Sequence, residues 1–245
     1  MRTLIYLLWF FFPGFSISYA GQPVLSGLEE MRYELTMGFI KIGEGVVSIE
    51  NDSLPETKLI KAEVMTTGFI KLLYNAHYFY SAVMDSVTGL PEKADKILNE
   101  GKYHSENEIL FDRKTRPDSC IVRSHLSGQK VLSREVYDIL TGFYKYRMDN
   151  IGKKQTIGHA WSVHTYFSDR AWDLKITYEG EEDLRTLWGN TPCIKCNVST
   201  MTGHFFDTTQ GLTIWYSADD RYVPVKIKVN MKIGSFTGNL VSFKQ

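Results

Sequence analysis

Alternation of apolar and polar residues with a period of two is the feature that most constrains this chain. From Ala171 to Tyr178 every second residue is apolar, namely Trp172, Leu174, Ile176 and Tyr178. The stretch from Tyr222 to Ile233 alternates in the same way. This period is typical of strands with one buried and one solvated face. Gly, Pro and Asx residues between the runs indicate hairpins, so the sequence predicts an all-β antiparallel fold.

Other segments with strand-like composition extend this pattern to most of the chain. The predicted strands are Met31–Met37, Ile40–Glu50, Leu59–Thr66, Lys93–Asn99, Lys102–Phe111, Cys120–His125 and Lys130–Val136, with a last strand that ends near Phe243. The acidic run from Glu179 to Asp183 is expected to be a turn into a strand from Leu184 to Trp188. Gly234 and Gly238 are expected to bracket another turn.

One or two short helices are expected within this β-rich chain. The segment Phe69–Met84 is apolar nearly throughout and fits a short helix leading into a strand buried on both faces. The segment Val136–Met148 fits a helix with Ile139, Leu140 and Phe143 near one face, although Gly142 weakens it.

The first twenty residues have the composition of a secretory signal peptide. Arg2 is followed by an apolar run from Leu4 to Phe12, and Ser18-Tyr19-Ala20 supplies small residues at a cleavage site. Pro13 and Gly14 leave the run too short to span a membrane. We therefore expect cleavage after Ala20, export to the periplasm, and one β-rich domain over residues 21–245 without a transmembrane segment.

Charge and composition narrow the classes of partner. The chain has 28 basic and 28 acidic residues, and aromatic residues make up 13% of it. A neutral protein has no long-range attraction to phosphate backbones, so nucleic acid is not expected as a partner. Abundant aromatic residues suit half-buried sheet surfaces and also line apolar pockets.

The three cysteines leave two alternatives open. Cys193 and Cys196 have the spacing of a redox motif, but residues three apart in a strand point to opposite faces, so the two sulfurs do not meet easily. One of them pairs with Cys120 in an oxidising compartment, or all three are buried thiols.

No metal, cofactor or catalytic site is predicted from the polar residues. His159 and His164 are five residues apart, which places them on opposite faces of a strand. His77, His104, His125 and His204 are scattered along the chain. The adjacent carboxylates Asp219 and Asp220 are of a residue type that acts in acid–base catalysis, but no other feature of the sequence supports a catalytic pair there.

The C-terminal block resembles a family of exported bacterial proteins catalogued as domain of unknown function 3108. The likeness is carried by Leu212-Thr-Ile-Trp-Tyr-Ser-Ala-Asp-Asp-Arg-Tyr-Val-Pro-Val-Lys-Ile and by Ile233-Gly-Ser-Phe-Thr-Gly-Asn-Leu. Shorter matches lie upstream, at Tyr33-Glu-Leu, Gly43-Glu-Gly-Val, Gly89-Leu-Pro and Asp138-Ile-Leu. The resemblance implies a strongly curved antiparallel sheet similar to the half-open barrels of periplasmic lipoprotein carriers. It brings no established activity and no accepted catalytic residues.

These observations lead to one favoured function and two alternatives. The favoured hypothesis is a non-enzymatic periplasmic binding or carrier protein for a lipid, glycolipid or other envelope-derived ligand. Its predicted ligand-binding residues are aromatic: Tyr78, Phe79, Tyr80, Phe143, Trp172 and Trp215. One alternative is an envelope hydrolase that uses Asp219 or Asp220 with a histidine. The other is a structural partner of an outer-membrane assembly, which would expose an edge strand or an apolar patch.

Overall fold

The computed structural model describes residues 28–54, 56–199, 211–230 and 234–245. The N-terminal half contains β1 (Glu29–Met37), β2 (Ile40–Asn51), β3 (Thr57–Thr66), α1 (Gly68–Leu73), β4 (Ala76–Asp85), β5 (Pro91–Glu100), β6 (Tyr103–Asp112), β7 (Ser119–Ser124) and β8 (Gly128–Ser133). The C-terminal half contains β9 (Val136–Tyr137), α2 (Ile139–Asn150), β10 (Ala160–Phe167), β11 (Arg170–Thr186), β12 (Gly189–Ser199), β13 (Leu212–Ser217), β14 (Pro224–Asn230) and β15 (Ser235–Lys244). The predicted signal peptide and His204 lie outside the described residues.

The strands form a single sheet of 15 strands in the order β8-β7-β6-β5-β4-β3-β2-β1-β15-β14-β13-β12-β11-β10-β9. Nearly every strand pairs antiparallel with its neighbour in the chain, and β1 pairs antiparallel with β15. The exception is β9, which runs parallel to β10 at two residue pairs. The sheet curves into a nearly closed barrel with one open seam, between β8 and β9. The expected all-β fold is confirmed.

Helix α2 lies against the inner face of the barrel. Its residues Tyr144 and Tyr146 share one buried cluster with Ile60 of β3 and with Ile176 of β11, which belong to opposite halves of the sheet. Asp138 caps the helix, because its carboxylate accepts hydrogen bonds from the backbone of Leu140 and Thr141. The predicted helix is therefore present, and the chain first forms the short strand β9.

Side chains close the seam where backbone pairing stops. Asp169, in the turn between β10 and β11, accepts hydrogen bonds from Ser124 at 2.6 Å and from Ser127 at 2.8 Å. Lys130 of β8 donates to the backbone carbonyl of Asp169 at 2.7 Å. Arg113 donates to the carbonyl of Val136 at 2.6 Å. The two edges of the sheet are thus joined by polar contacts between side chains and loops.

Two local predictions are wrong, and in both a glycine that was expected at a turn lies inside a strand. The acidic run from Glu179 to Asp183 lies inside the 17-residue strand β11. The pairing of β11 with β12 shifts register between Tyr178 and Gly180, and the strand continues through this shift without a turn. Gly180 has a φ of +123°, which only glycine adopts readily. Gly238 lies inside β15 rather than beside a turn, and a Cβ there would lie 3.1 Å from the side chain of Leu35.

The segment Phe69–Met84 divides as expected into a helix and a strand. However, β4 is not buried on both faces, since His77 is exposed and Phe79 is half-buried. Its inner-facing residues Ala82 and Met84 are buried against the core.

Candidate functional site

Strand register identifies the residues that line the inner face of the barrel. Ile60 lies opposite Ile49 and Ala82, and these residues belong to the buried core. Directly paired residues of neighbouring strands project from the same face of a sheet. Along one strand, every second residue projects from the same face. Tyr78 and Tyr80 therefore project inward with Ala82, and Tyr78 lies opposite Val64 and Leu98.

Helix α2 covers this inner face only at one end of the barrel. At that end, Arg147 of α2 contacts the loop between β13 and β14, and Lys145 lies near Gly89 between β4 and β5. The opposite end, which carries the β1–β2, β3–β4 and β5–β6 connections, is called here the open end. Towards it the inner-facing apolar residues change from buried to half-buried.

We define the open-end cluster as Val64, Tyr78, Tyr80, Leu98 and Phe167. All five side chains are half-buried, in contrast to the buried Ile60 and Ala82 further along the same face. Tyr80 of β4 and Phe167 of β10 approach across the seam with 5.8 Å between ring centroids. The open-end cluster is thus an apolar surface inside the barrel that α2 leaves uncovered.

A few polar groups border the open-end cluster. The hydroxyl of Tyr78 donates to Glu100 at 2.5 Å. Lys96, which lies opposite Tyr80, places its ammonium 5.2 Å from the ring centroid of Phe167 and 3.0 Å from the hydroxyl of Ser168. Burial lowers the pKa of Lys96, and the nearby carboxylate of Asp169 only partly opposes this. An apolar surface with a cation at its border suits an amphiphilic molecule.

The structure brings together some of the aromatic residues predicted from sequence and separates others. Tyr78 and Tyr80 lie in the open-end cluster, while Phe143 and Trp172 pack on the α2 side against the central core. Phe79 projects to the outer face, where it lies opposite Glu63 and Ile97.

Trp215 lies on the face of β13 opposite to Ile214 and Tyr216, whose side chains belong to the same buried cluster as Tyr144 and Tyr146 of α2. It is only 6% exposed and is flanked by Lys226, whose ammonium lies 4.8 Å from the ring centroid. Its indole N–H donates to Glu182. These contacts account for Trp215 as a packing residue of the sheet.

Helix α2 is fixed in place by a buried ion pair. The guanidinium of Arg147 donates to both carboxylate oxygens of Glu29 on β1, and both side chains are almost fully buried. Arg147 also donates to the backbone carbonyls of Arg221 at 2.6 Å and Tyr222 at 3.0 Å. These contacts join α2 to β1 and to the β13–β14 loop, and they fix the position of the helix at this end of the barrel.

The three cysteines are free and buried. They lie in three separate clusters, with Cys196 beside α2, Cys120 near the seam and Cys193 with Trp215. Of the two alternatives from sequence, the structure therefore has buried thiols. Burial raises the pKa of both Cys193 and Cys196 to about 11, which keeps them protonated at neutral pH.

Asp219, one of the two carboxylates considered for catalysis, is engaged in other contacts. Asp219 accepts hydrogen bonds from Ser217 at 2.8 Å and from the guanidinium of Arg221. Burial raises the pKa of Asp219, but these hydrogen bonds outweigh it and the net pKa is lowered. An acid catalyst needs a raised pKa, so this carboxylate is poorly suited to donate a proton.

The histidines do not gather around one point. His77 contacts Glu63 at 2.6 Å, His104 contacts Asn99 at 2.7 Å, and His164 contacts Asp173. Within the described residues, no group of three His, Cys, Asp or Glu side chains could hold a metal ion. In the same part of the chain, no helix has the length and apolar character needed to cross a membrane.

Two surface crevices lie outside the open-end cluster. One of about 780 Å³ lies beside the seam and is lined by residues that include Arg134, Lys145, Asp149 and His164. Its ion pair between Lys145 and Asp149, at 2.5 Å, already satisfies two of these charges. The other, of about 350 Å³, contains Asp219 and Asp220. Both are mixed in polarity, unlike the inner face.

Comparison with known families decides the relationship of this chain. The family described as "Protein of unknown function (DUF3108)" matches residues 32–241. The chain belongs to this family. A search of curated proteins finds no match for this DUF3108 protein.

A solved structure supports the barrel architecture of the DUF3108 protein. The chain described here is similar to the crystal structure of a beta-barrel-like protein of domain of unknown function DUF1849 from Brucella abortus, with a TM-score of 0.58 and 12% sequence identity. The match covers 89% of this chain and 97% of the other. At this identity the similarity concerns the fold alone.

Sequence reasoning missed Val64, Leu98 and Phe167 of the open-end cluster. Each lies in or near an alternating run, but only the register between strands shows that they meet Tyr78 and Tyr80. Alternation also separates Phe79 from its two tyrosine neighbours once the segment is known to be a strand.

Proposed function

We propose that this DUF3108 protein is a non-enzymatic binding or carrier protein of the bacterial periplasm. Its ligand is a lipid, glycolipid or similar envelope-derived amphiphile, which binds against the open-end cluster. The observation that carries this proposal is the change along one inner face from buried residues under α2 to half-buried apolar residues beyond it. Export rests on the signal-peptide pattern of residues 1–20.

The energetics of this site favour an acyl chain or a similar apolar group. Each Å² of apolar surface removed from water contributes about 25 cal/mol, so a chain lying over Val64, Tyr78 and Leu98 gains affinity mainly by burial. The hydroxyl of Tyr78 and the ammonium of Lys96 lie at the border and would orient a polar head group. No step of bond cleavage is needed for such a role.

The two alternatives have different support. A hydrolase role for Asp219 is not favoured, because its carboxylate is held by Arg221 and its pKa is lowered. A structural role in an envelope assembly is favoured by one observation, the group of exposed apolar residues at the open end.

Two neighbouring residues of β5 provide a matched test. Leu98 projects inward and Ile97 outward, and both are half-buried. With a fluorescent fatty-acid probe such as dansyl-undecanoic acid, Leu98→Gln should weaken binding about tenfold, whereas Ile97→Gln should leave it unchanged. Circular dichroism would confirm that both variants fold. Equal loss in both variants, or no probe binding by the folded wild-type protein, would reject the proposed site.

A second measurement addresses the natural ligand. The protein would be purified under mild conditions from the periplasm and examined by native mass spectrometry with lipid extraction. A reproducible lipid or glycolipid bound to the wild-type protein and depleted in Leu98→Gln would support the carrier role. An intact folded protein that never carries such a molecule would count against it.

A further inference from the structure

The open end carries a group of large apolar side chains that no other part of the described chain covers. We define the apolar rim as these eight exposed residues: Met37, Phe39, Ile40, Phe69, Leu72, Leu73, Tyr74 and Tyr103. They lie in the β1–β2 turn, in and just after α1, and at the β5–β6 turn. Single exposed apolar residues are common on proteins, but a group of this size marks an interaction surface.

Backbone hydrogen bonds hold these connections beside one another. The N–H of Thr67 before α1 donates to the carbonyl of Ile42 at the start of β2, at 3.2 Å. The N–H of Gly101 in the β5–β6 turn donates to the carbonyl of Asn75 after α1, at 2.8 Å. The apolar rim is therefore one continuous edge of the barrel and not three unrelated turns.

The residues at the tips have no evident role in folding. Phe39 is 107% exposed and occupies a turn beside Gly38, at a position where small or polar residues are usual. Helix α1 has no buried residue. Removing these side chains should therefore cost the fold little.

The orientation of α1 is the reverse of that in an ordinary surface helix. Phe69, Leu72 and Leu73 are spaced at i, i+3 and i+4, which places them on one stripe of the helix. Such a stripe normally faces the core, but here its members are exposed, Leu72 by 81%. Lys71 lies on the other side of this stripe. An apolar stripe directed outward with a basic residue behind it is typical of helices that lie in a membrane interface.

We propose that the apolar rim inserts into the surface of a lipid bilayer with anionic head groups. The apolar side chains are at protruding tips rather than in a groove, so a fluid interface can surround each one. Lys71 and Lys102 are exposed at the same edge, and the lysine ion pairs among the described residues involve neither of them, which leaves their charges available for anionic lipids. This inference is independent of which molecule the inner face binds.

Vesicle flotation tests the proposal with the mature protein. Vesicles of phosphatidylethanolamine and phosphatidylglycerol should carry the wild-type protein, and vesicles of phosphatidylcholine alone should carry much less. The double variant Phe39→Ser/Leu72→Ser should lower the partition coefficient at least about tenfold. Val87→Ser is the matched control, because Val87 is 85% exposed but lies in the β4–β5 turn at the opposite end.

A separate variant tests how much the two lysines contribute to membrane binding. Lys71→Gln/Lys102→Gln should weaken binding to phosphatidylglycerol vesicles by about fivefold per lysine, and added salt should remove this difference. Retained secondary structure by circular dichroism would show that the variants are folded.

Several results would overturn the proposal. These are no flotation of folded wild-type protein with either vesicle type, equal loss in Val87→Ser, or equal binding to both vesicle types with no effect of the lysine variant. Concentration-dependent self-association that Phe39→Ser/Leu72→Ser abolishes, without vesicle binding, would instead identify the apolar rim as a contact between copies of this chain.

Discussion

Asp169 and Ser124 are hydrogen-bonded across the open seam of the barrel, with 2.6 Å between carboxylate Oδ1 and hydroxyl Oγ. The same carboxylate oxygen also accepts from Ser127 and Asn107. Because β8 and β9 do not pair, these contacts take the place of the fifteenth set of backbone bonds that would close the barrel. The turn between β10 and β11 therefore supplies several of the contacts that close the barrel.

Replacing Asp169 should open the seam. Asp169→Ala removes three accepted hydrogen bonds and also places alanine at a φ of +62°, a conformation that Asp tolerates better. We expect the free energy of unfolding in urea to fall by about 2–3 kcal/mol, with faster amide exchange in β8. Asp173→Ala, an exposed position on the same hairpin, is the control and should change stability little. Equal effects of the two would contradict a special role for the seam.

The same carboxylate predicts a dependence of stability on pH. Burial raises the pKa of Asp169, but hydrogen bonds from Ser124, Ser127 and Asn107 and the charge of Lys96 lower it by more, so the net pKa is below its usual value. A lowered pKa means that the folded state favours the carboxylate. Its contribution is fully present above the ordinary pKa of about 3.9 and is lost as pH falls through the folded value. Asp169→Asn should therefore unfold with a weaker pH dependence below pH 4 than the wild type.

The seam also explains part of what the sequence could not predict. The turn between β10 and β11 has positive φ at both Ser168 and Asp169, where Asn-Gly would be the usual signal. Contacts from β6, from the end of β7, from the β7–β8 turn and from β8 support this conformation, and they are distant in sequence. Local rules therefore miss the hairpin, although they identify the alternation in β11 from Trp172 to Tyr178.

The candidate site was accessible from sequence only in part. The sequence favours the aromatic run Tyr78-Phe79-Tyr80 as ligand-binding from its aromatic density alone, and this gives no reason to separate Phe79 from the two tyrosines. Which face of β4 points inward depends on pairing with β3 and β5, which is long-range information. The partners Val64 and Leu98 come from that register, so no local pattern singles them out.

The pair of Arg147 and Glu29 predicts strong coupling between α2 and β1. Arg147→Met should lower the free energy of unfolding by about 3–5 kcal/mol, because it leaves the Glu29 carboxylate buried without its partner. The double variant Glu29→Met/Arg147→Met should be less destabilised than the sum of the two single variants, since no charge remains buried. A double-mutant cycle measured by urea unfolding gives the coupling. Additive effects would show that the two groups do not depend on each other.

Two glycines of β2 predict opposite effects for the same substitution. A Cβ at Gly43 would lie 2.3 Å from the backbone carbonyl oxygen of Met65, which cannot move aside easily. At Gly45 the nearest atom is 3.7 Å away, an ordinary contact. Gly43→Ala should therefore lose about 2 kcal/mol of stability, while Gly45→Ala should be neutral or slightly stabilising through the unfolded chain. Thermal and urea unfolding of both variants would test this directly.

The cysteines predict an unreactive but fully reduced protein. Burial raises the pKa of Cys193 and of Cys196 to about 11 and also raises the pKa of Cys120, so few thiolates exist at pH 8. We expect a thiol reagent such as DTNB to react slowly with the native protein. In guanidinium chloride, without any reductant, it should titrate three thiols per chain.

The thiol count separates the two cysteine arrangements considered from sequence. A disulfide between Cys120 and Cys193 or Cys196 would leave one thiol per chain, and it would require two of the three separate clusters to meet. Protein isolated from an oxidising compartment gives the strictest measurement, because oxidation would already have occurred there. Three thiols in that sample would mean that folding protects the cysteines by burial, and Cys196→Ala should then remove one thiol without changing the protection of the other two.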